Sequence, residues 1–152
     1  MTTSEAGSQT EFLSVHDCWK YLRNASVGRL AVVLGGGPEI FPVNYLPEDG
    51  TVTFRTGPGT KLAAVLEGGT VALEADGLNS YGTIAWSVVL KGHPEVVAVN
   101  GDDLQPADPS PWEEGVRDRL IRITPTEISG RRFVISPATN WWPPRDTAFR
   151  PE

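Results

Sequence analysis

Two turn signals placed close together constrain this chain more than any other feature. Gly35, Gly36, Gly37 and Pro38 end a nearly continuous apolar run over residues 28–34 and return the chain into residues 39–46. Pro47, Glu48, Asp49 and Gly50 turn it again into residues 51–55, where Val52 and Phe54 alternate with Thr51, Thr53 and Arg55. Glycine, proline and aspartate between apolar runs mark tight turns. Strands joined so closely run antiparallel, because a parallel crossover needs about a dozen residues or more. The chain therefore reads as a meander, not as a parallel nucleotide-binding sheet. Pro42 interrupts the middle strand, and proline removes a ladder donor. Two alternatives stay open there: a local bulge that frees a backbone group for a flat polar ligand, or an edge strand.

The corner that follows is the strongest candidate for a ligand. After the strand over residues 51–55 comes Thr56, then the bend Gly57-Pro58-Gly59, then Leu62, Ala63, Val65 and Leu66 at helical spacing. Thr60 stands where an N-cap belongs, and Gly68-Gly69 supply a stop. A helix N-terminus offers unpaired N–H groups and partial positive charge. Arg55, Thr56, Thr60 and Lys61 crowd around this one, so a phosphate suits it. An ordinary strand-turn-helix corner with solvated cations is the competing reading.

Elsewhere the patterns are simpler. Ser14 reads as an N-cap for a helix carrying Val15, Cys18, Trp19 and Leu22 on one apolar face, with Cys18 packed in the core. Residues 71–76 read as a strand, and residues 83–91 alternate Ile84, Trp86, Val88 and Leu90 against polar or small residues. Gly92-His93-Pro94 reads as a break, residues 95–99 as a strand or short helix, and residues 101–115 as an acidic surface excursion. A last strand surrounds Leu120, Ile121 and Ile123, and Gly130-Arg131-Arg132-Phe133 closes the folded part. We divide the chain into a flexible tail (residues 1–10), one domain (11–135) and a C-terminal extension (136–152) that holds Trp141 and Trp142. The class is α+β, with a small antiparallel barrel and two or more short helices.

Thirteen basic against nineteen acidic residues give a formal charge of −6, which argues against nucleic acid or an anionic membrane as the main partner. An anion must then be held by a local cluster. No apolar run reaches the roughly 20 residues of a membrane span, and the first residues lack the order of a secretory signal, so the expected location is cytoplasmic. Gly-Pro-Gly-Thr-Lys is not a Walker loop, the triple glycine opens no helix, and no serine stands in a nucleophile elbow. Two histidines and one cysteine, far apart, make no metal set, and the acidic residues read as solvated turn residues.

Taken together, Gly28-Arg29-Leu30-Ala31, Pro42-Val43-Asn44-Tyr45, Phe54-Arg55-Thr56 with Thr60-Lys61-Leu62, and Trp86-Ser87-Val88-Val89 up to Gly92 resemble, in order and spacing, the pyridoxamine 5′-phosphate oxidase-like proteins. The small single-domain branch and the nitroimidazole-resistance proteins are similar. The resemblance implies a six-stranded antiparallel split β-barrel, the FMN-binding split barrel, forming a homodimer with cofactor sites at the subunit interface. It implies FMN as cofactor and a flavin-dependent oxidoreductase acting on a small redox substrate. A deazaflavin coenzyme or heme, and a non-catalytic carrier, are the alternatives within the broader family. Carried over by position, Pro42, Val43, Asn44 and Tyr45 would line the ring and ribityl chain with backbone groups, and Arg55, Thr56, Thr60 and Lys61 would hold the phosphate. Trp86, Ser87 and Val88 would approach the flavin, from the partner chain if the dimer places them there. True pyridoxamine phosphate oxidases carry a C-terminal Arg/His signature. This chain has Arg131 and Arg132 but no histidine after His93, so vitamin B6 oxidation is not assigned. With a flavin doing the redox chemistry, no side-chain acid or base is named.

Overall fold

The computed structural model describes residues 10–57, 65, 68–99 and 119–135. Its elements are β1 (Thr10–Phe12), α1 (Val15–Leu22), β2 (Val27–Leu34), β3 (Gly37–Glu48), β4 (Thr51–Thr56), β5 (Val71–Leu78), β6 (Ile84–Val99) and β7 (Arg119–Val134). All strand pairings are antiparallel, and the neighbour order β7-β4-β3-β2-β5-β6 returns to β7, so six strands close on themselves. The short β1 is added along the far end of β7. The expected six-stranded barrel is present, with this seventh strand outside the ring.

The meander forms as its turns require. Leu34 pairs with Gly37 and Glu48 with Thr51, leaving two-residue loops. Gly35 and Gly36 have φ of 60° and 83°, Asp49 and Gly50 φ of 53° and 75°. Positive φ at both central positions defines the mirror-image turn whose twist matches a hairpin, and glycine and aspartate tolerate it. Pro42 does not bulge the strand. It pairs with Arg29 in a ladder that runs without a register shift from Val27↔Asn44 to Leu34↔Gly37. The β4 pairing starts only at Tyr45↔Phe54, so at Pro42 the described partner of β3 is β2 alone, which is the edge-strand alternative.

Inside the ring, Leu30, Val43, Val52, Phe54, Leu73, Val88, Leu90, Ile121 and Ile123 form one buried cluster. Helix α1 seals one end. Ser14 Oγ accepts from Asp17 N at 3.1 Å, the expected N-cap bond. Cys18 and Leu22 are buried and Trp19 packs against the core, while Val15 is 57% exposed and does not belong to the apolar face. Burial also pushes the Cys18 thiol above its ordinary pKa, with Asp17 adding to the shift, which suits a core residue and not a nucleophile.

One expected break is absent. At Gly92-His93-Pro94 strand β6 continues, with a register shift between Lys91 and Gly92 against β7. A Cβ on Gly92 would lie 2.5 Å from the Thr124 carbonyl oxygen, so this glycine permits a close approach of β7 and ends nothing. Gly130 likewise lies within β7, where an added Cβ would meet Cys18 Sγ at 2.9 Å. The expected helix over residues 60–67 is described only at Val65, which is helical and buried. The tail before Thr10, the excursion over residues 101–115 and the extension from residue 136 lie outside the described residues.

Candidate functional site

Pairing of Tyr45 with Phe54 joins residues 42–45 of β3 to Arg55 and Thr56 at the end of β4. Alternation then sorts the side chains. Val43, Tyr45 and Thr56 point inward and are buried, whereas Pro42 is exposed and Asn44 and Arg55 are half-buried on the outer side. Continuing the ladder by one step would set Asn44 opposite Arg55 on that outer face, at the point where the two strands part. The Arg55 Nε is shielded from solvent. Thr56 Oγ1 donates to the Gly57 carbonyl at 3.3 Å. Arg55 and Thr56 therefore leave the strand on opposite faces, and a ligand that meets the Arg55 side chain meets Thr56 through its backbone. Thr60 and Lys61 lie outside the described residues. A guanidinium beside an amide and exposed strand backbone is a donor set that fits a phosphate ester and a polar flat ring.

The Tyr45 side chain is a support and not a wall of this face. Its hydroxyl donates to the Leu22 carbonyl at 2.7 Å in the interior, and its backbone N–H donates to the Ser26 carbonyl at 2.9 Å. Burial raises the phenol pKa well above the ordinary tyrosine range, so it stays a neutral donor. Next to Pro42, Arg29 binds Glu74 through Nε at 2.8 Å and Asp76 through a terminal nitrogen at 2.7 Å. These two carboxylates are thus part of an ion cluster on β2 and β5, not turn residues in water. Burial pushes the Glu74 carboxyl above its usual range, and a hydrogen bond with Asp76 adds to this against the pull of Arg29.

Trp86, Ser87 and Val88 stand elsewhere. They lie on β6 against residues 75–77 of β5 and 130–132 of β7. Trp86 and Val88 are buried, and Ser87 is half-buried. Between β3 and β6 stand β2 and β5, three strand spacings or roughly 14 Å around the wall. The structure thus brings Pro42, Val43, Asn44, Tyr45, Arg55 and Thr56 together and sets Trp86, Ser87 and Val88 apart from them within one chain. Near Trp86 it also collects residues not singled out as site residues in the sequence: Tyr21, whose ring centroid is 5.2 Å from that of Trp86, with Asn24 and Arg132 beside them. Only the Trp86↔Arg132 register reveals that grouping, and no local pattern carries it.

Residues 14–132 match the sequence profile of pyridoxamine 5′-phosphate oxidase. The chain belongs to the pyridoxamine 5′-phosphate oxidase family. Within its reach, the uncharacterized protein Rv0080 of Mycobacterium tuberculosis is 31% identical over 134 residues, covering 81% of this chain and 85% of that one. An FAD-binding protein from Mycobacterium smegmatis has a similar structure, with a TM-score of 0.62 and 30% identity over 82% of this chain and 98% of that one. An FAD-binding protein from Mesorhizobium loti superposes with a TM-score of 0.70 and 26% identity, covering 84% and 98% of the two chains. Both match nearly their whole length, so the family's flavin-binding split-barrel architecture is the one seen here. Among the described residues no helix is long and apolar enough to cross a membrane.

Proposed function

We propose that this protein binds a flavin nucleotide, FMN or FAD, and serves as a flavin-dependent oxidoreductase built from two copies of the chain in the cytoplasm. The reading is carried by the Tyr45↔Phe54 pairing, which puts the Arg55 cation at the end of the β3 edge that would bear the ring. FMN is what the family resemblance implies, while the two similar solved proteins are described as binding FAD. The phosphate beside the ribityl chain is common to both, so the corner serves either.

When bound, the flavin would accept or donate a hydride or electrons. The chain's own residues would do the holding. Arg55 would neutralise phosphate charge, with Thr60 and Lys61 expected to join it, and Asn44 and the backbone near Pro42 would orient the ring. Ser87, Trp86 and Val88 lie three strand spacings away on the same barrel, behind the Arg29 ion cluster. A flat ligand at Asn44 would therefore meet those residues from a second copy, which favours a dimer with shared sites.

The test is an absorption spectrum of the freshly purified protein, mass spectrometry of whatever is released, and titration of the stripped protein with FMN and FAD. Saturable binding at micromolar flavin is expected. Arg55→Gln should weaken it by about 1.5–3 kcal/mol, the worth of a charge-assisted bond. A colourless protein whose fluorescence and melting ignore both flavins, or one that carries a deazaflavin or heme instead, defeats the proposal.

A further inference from the structure

The far end of β7 builds a second feature. Glu11↔Arg132, Arg132↔Trp86 and Trp86↔Gly77 are consecutive pairs, so four residues from β1, β7, β6 and β5 form one row across the sheet. Its last member has no side chain, and the Trp86 indole leans into that space: a Cβ on Gly77 would lie 2.8 Å from the indole nitrogen. Tyr21 of α1 covers the row from above, its ring against Trp86. Under the helix this leaves two cavities of about 340 and 360 Å³, one toward β1 and one toward the β5–β6 loop. Tyr21, Asn24 and Arg132 line both.

The chemistry of that groove is legible. Leu78, Ile84 and the two aromatic rings offer apolar walls to a flat group. Arg132 is the cation between the cavities, and hydrogen bonds with Tyr21 and then Glu11 favour its charged form. Its Nε donates to Glu11 Oε1 at 2.6 Å, so the chain already seats one carboxylate on this guanidinium. That carboxylate comes from a three-residue strand on which every residue is exposed. Asp76, also on the rim, is spoken for by Arg29 at 2.7 Å, whereas Asp17 and Lys20 offset each other toward β1.

We propose that this groove is a binding site for a ring-bearing carboxylate, which takes Arg132 in place of Glu11. The ring lies beside the Tyr21–Trp86 pair and against Ile84, and the carboxylate accepts from the guanidinium. Glu11 is then an internal competitor, and the ligand's entry frees β1 from its ion pair with β7. Trp86 is shared with the residues proposed to face the flavin from a second copy, whereas Tyr21, Ile84, Glu11 and Arg132 lie outside the Arg55 corner, so the pairing of a carboxylate with Arg132 does not rest on that reading.

Calorimetric titration of the purified full-length protein with benzoate, benzamide and acetate tests this. Benzoate should bind saturably with Kd of about a millimolar or tighter, and benzamide and acetate should fall well behind, lacking the charge and the ring respectively. Glu11→Gln removes the competitor and should tighten benzoate by about threefold or more. Arg132→Gln should weaken it by about tenfold or more. Arg131→Gln changes net charge equally on an exposed neighbour and should leave Kd within about twofold. No saturation by about 10 mM benzoate in both wild type and Glu11→Gln overturns the proposal, as does benzamide binding as well as benzoate. Unchanged or weaker binding by Glu11→Gln also overturns it. That gain cannot come from a misfolded variant, so the test survives any loss of stability in Arg132→Gln.

Discussion

The two ends of β7 stand in opposite surroundings. Residues 119–123 lie between β4 and β6, and Ile121 and Ile123 are fully buried against Phe54 and its neighbours. Residues 131–133 lie between β6 and β1, where Arg132 carries an ion pair and Phe12 is 81% exposed. The same strand closes a core at one end and edges a groove at the other. What separates them is the partner: a strand inside the ring brings apolar side chains to one face, whereas a three-residue addition outside it cannot exclude water.

The largest expected effect breaks the closed end. Phe54→Ala removes a side chain with no exposure from the ring and should cost about 3–5 kcal/mol in denaturant unfolding. A cost below about 1 kcal/mol would mean that the ring is not packed as described. An intermediate effect belongs to the seal between barrel and helix. Tyr45→Phe deletes the 2.7 Å donor to the buried Leu22 carbonyl and leaves it only the long 3.5 Å bond from Ala25 N, for about 1–3 kcal/mol.

The same residue sets an alkaline limit. Burial raises the Tyr45 pKa in the folded state above the unfolded value near 10, so its stabilisation is complete below about pH 10. As pH rises further the unfolded phenol ionises first and stability falls. Melts from pH 8 to about pH 12 should show that extra slope in the wild type and lose it in Tyr45→Phe. Parallel curves would contradict the buried hydroxyl. The smallest effect is at the open end: Phe12→Ala should change stability by no more than about 0.5 kcal/mol. A larger loss would make β1 part of the core and erase the contrast.

Much of the barrel was legible residue by residue. The Gly35-Gly36 and Asp49-Gly50 loops, the Ser14 cap and the alternation around Trp86 and Val88 are local facts, decided by φ preferences and by a period of two. Gly92 misreads for an instructive reason. Glycine signals either a chain break or a close approach, and only the neighbour, here the Thr124 carbonyl, says which. Val15 falls off the apolar face because α1 covers the end of a barrel and turns only part of its stripe inward. For the candidate site, the sequence supplied the segments at Pro42, Arg55 and Trp86. It did not supply their separation, nor the inward spending of Val43, Tyr45 and Val88.

The sequence by itself determined an antiparallel meander, a cation-bearing corner after β4 and a chain whose acidic balance leaves anion binding to local clusters, because turn chemistry and charge are properties of short segments. Tertiary structure alone decided that β7 returns to β4, that Pro42 lies on an edge, and that Glu11, Arg132, Trp86 and Gly77 share a row. Register between distant strands is fixed by the packing of both faces at once, and no single segment contains that information.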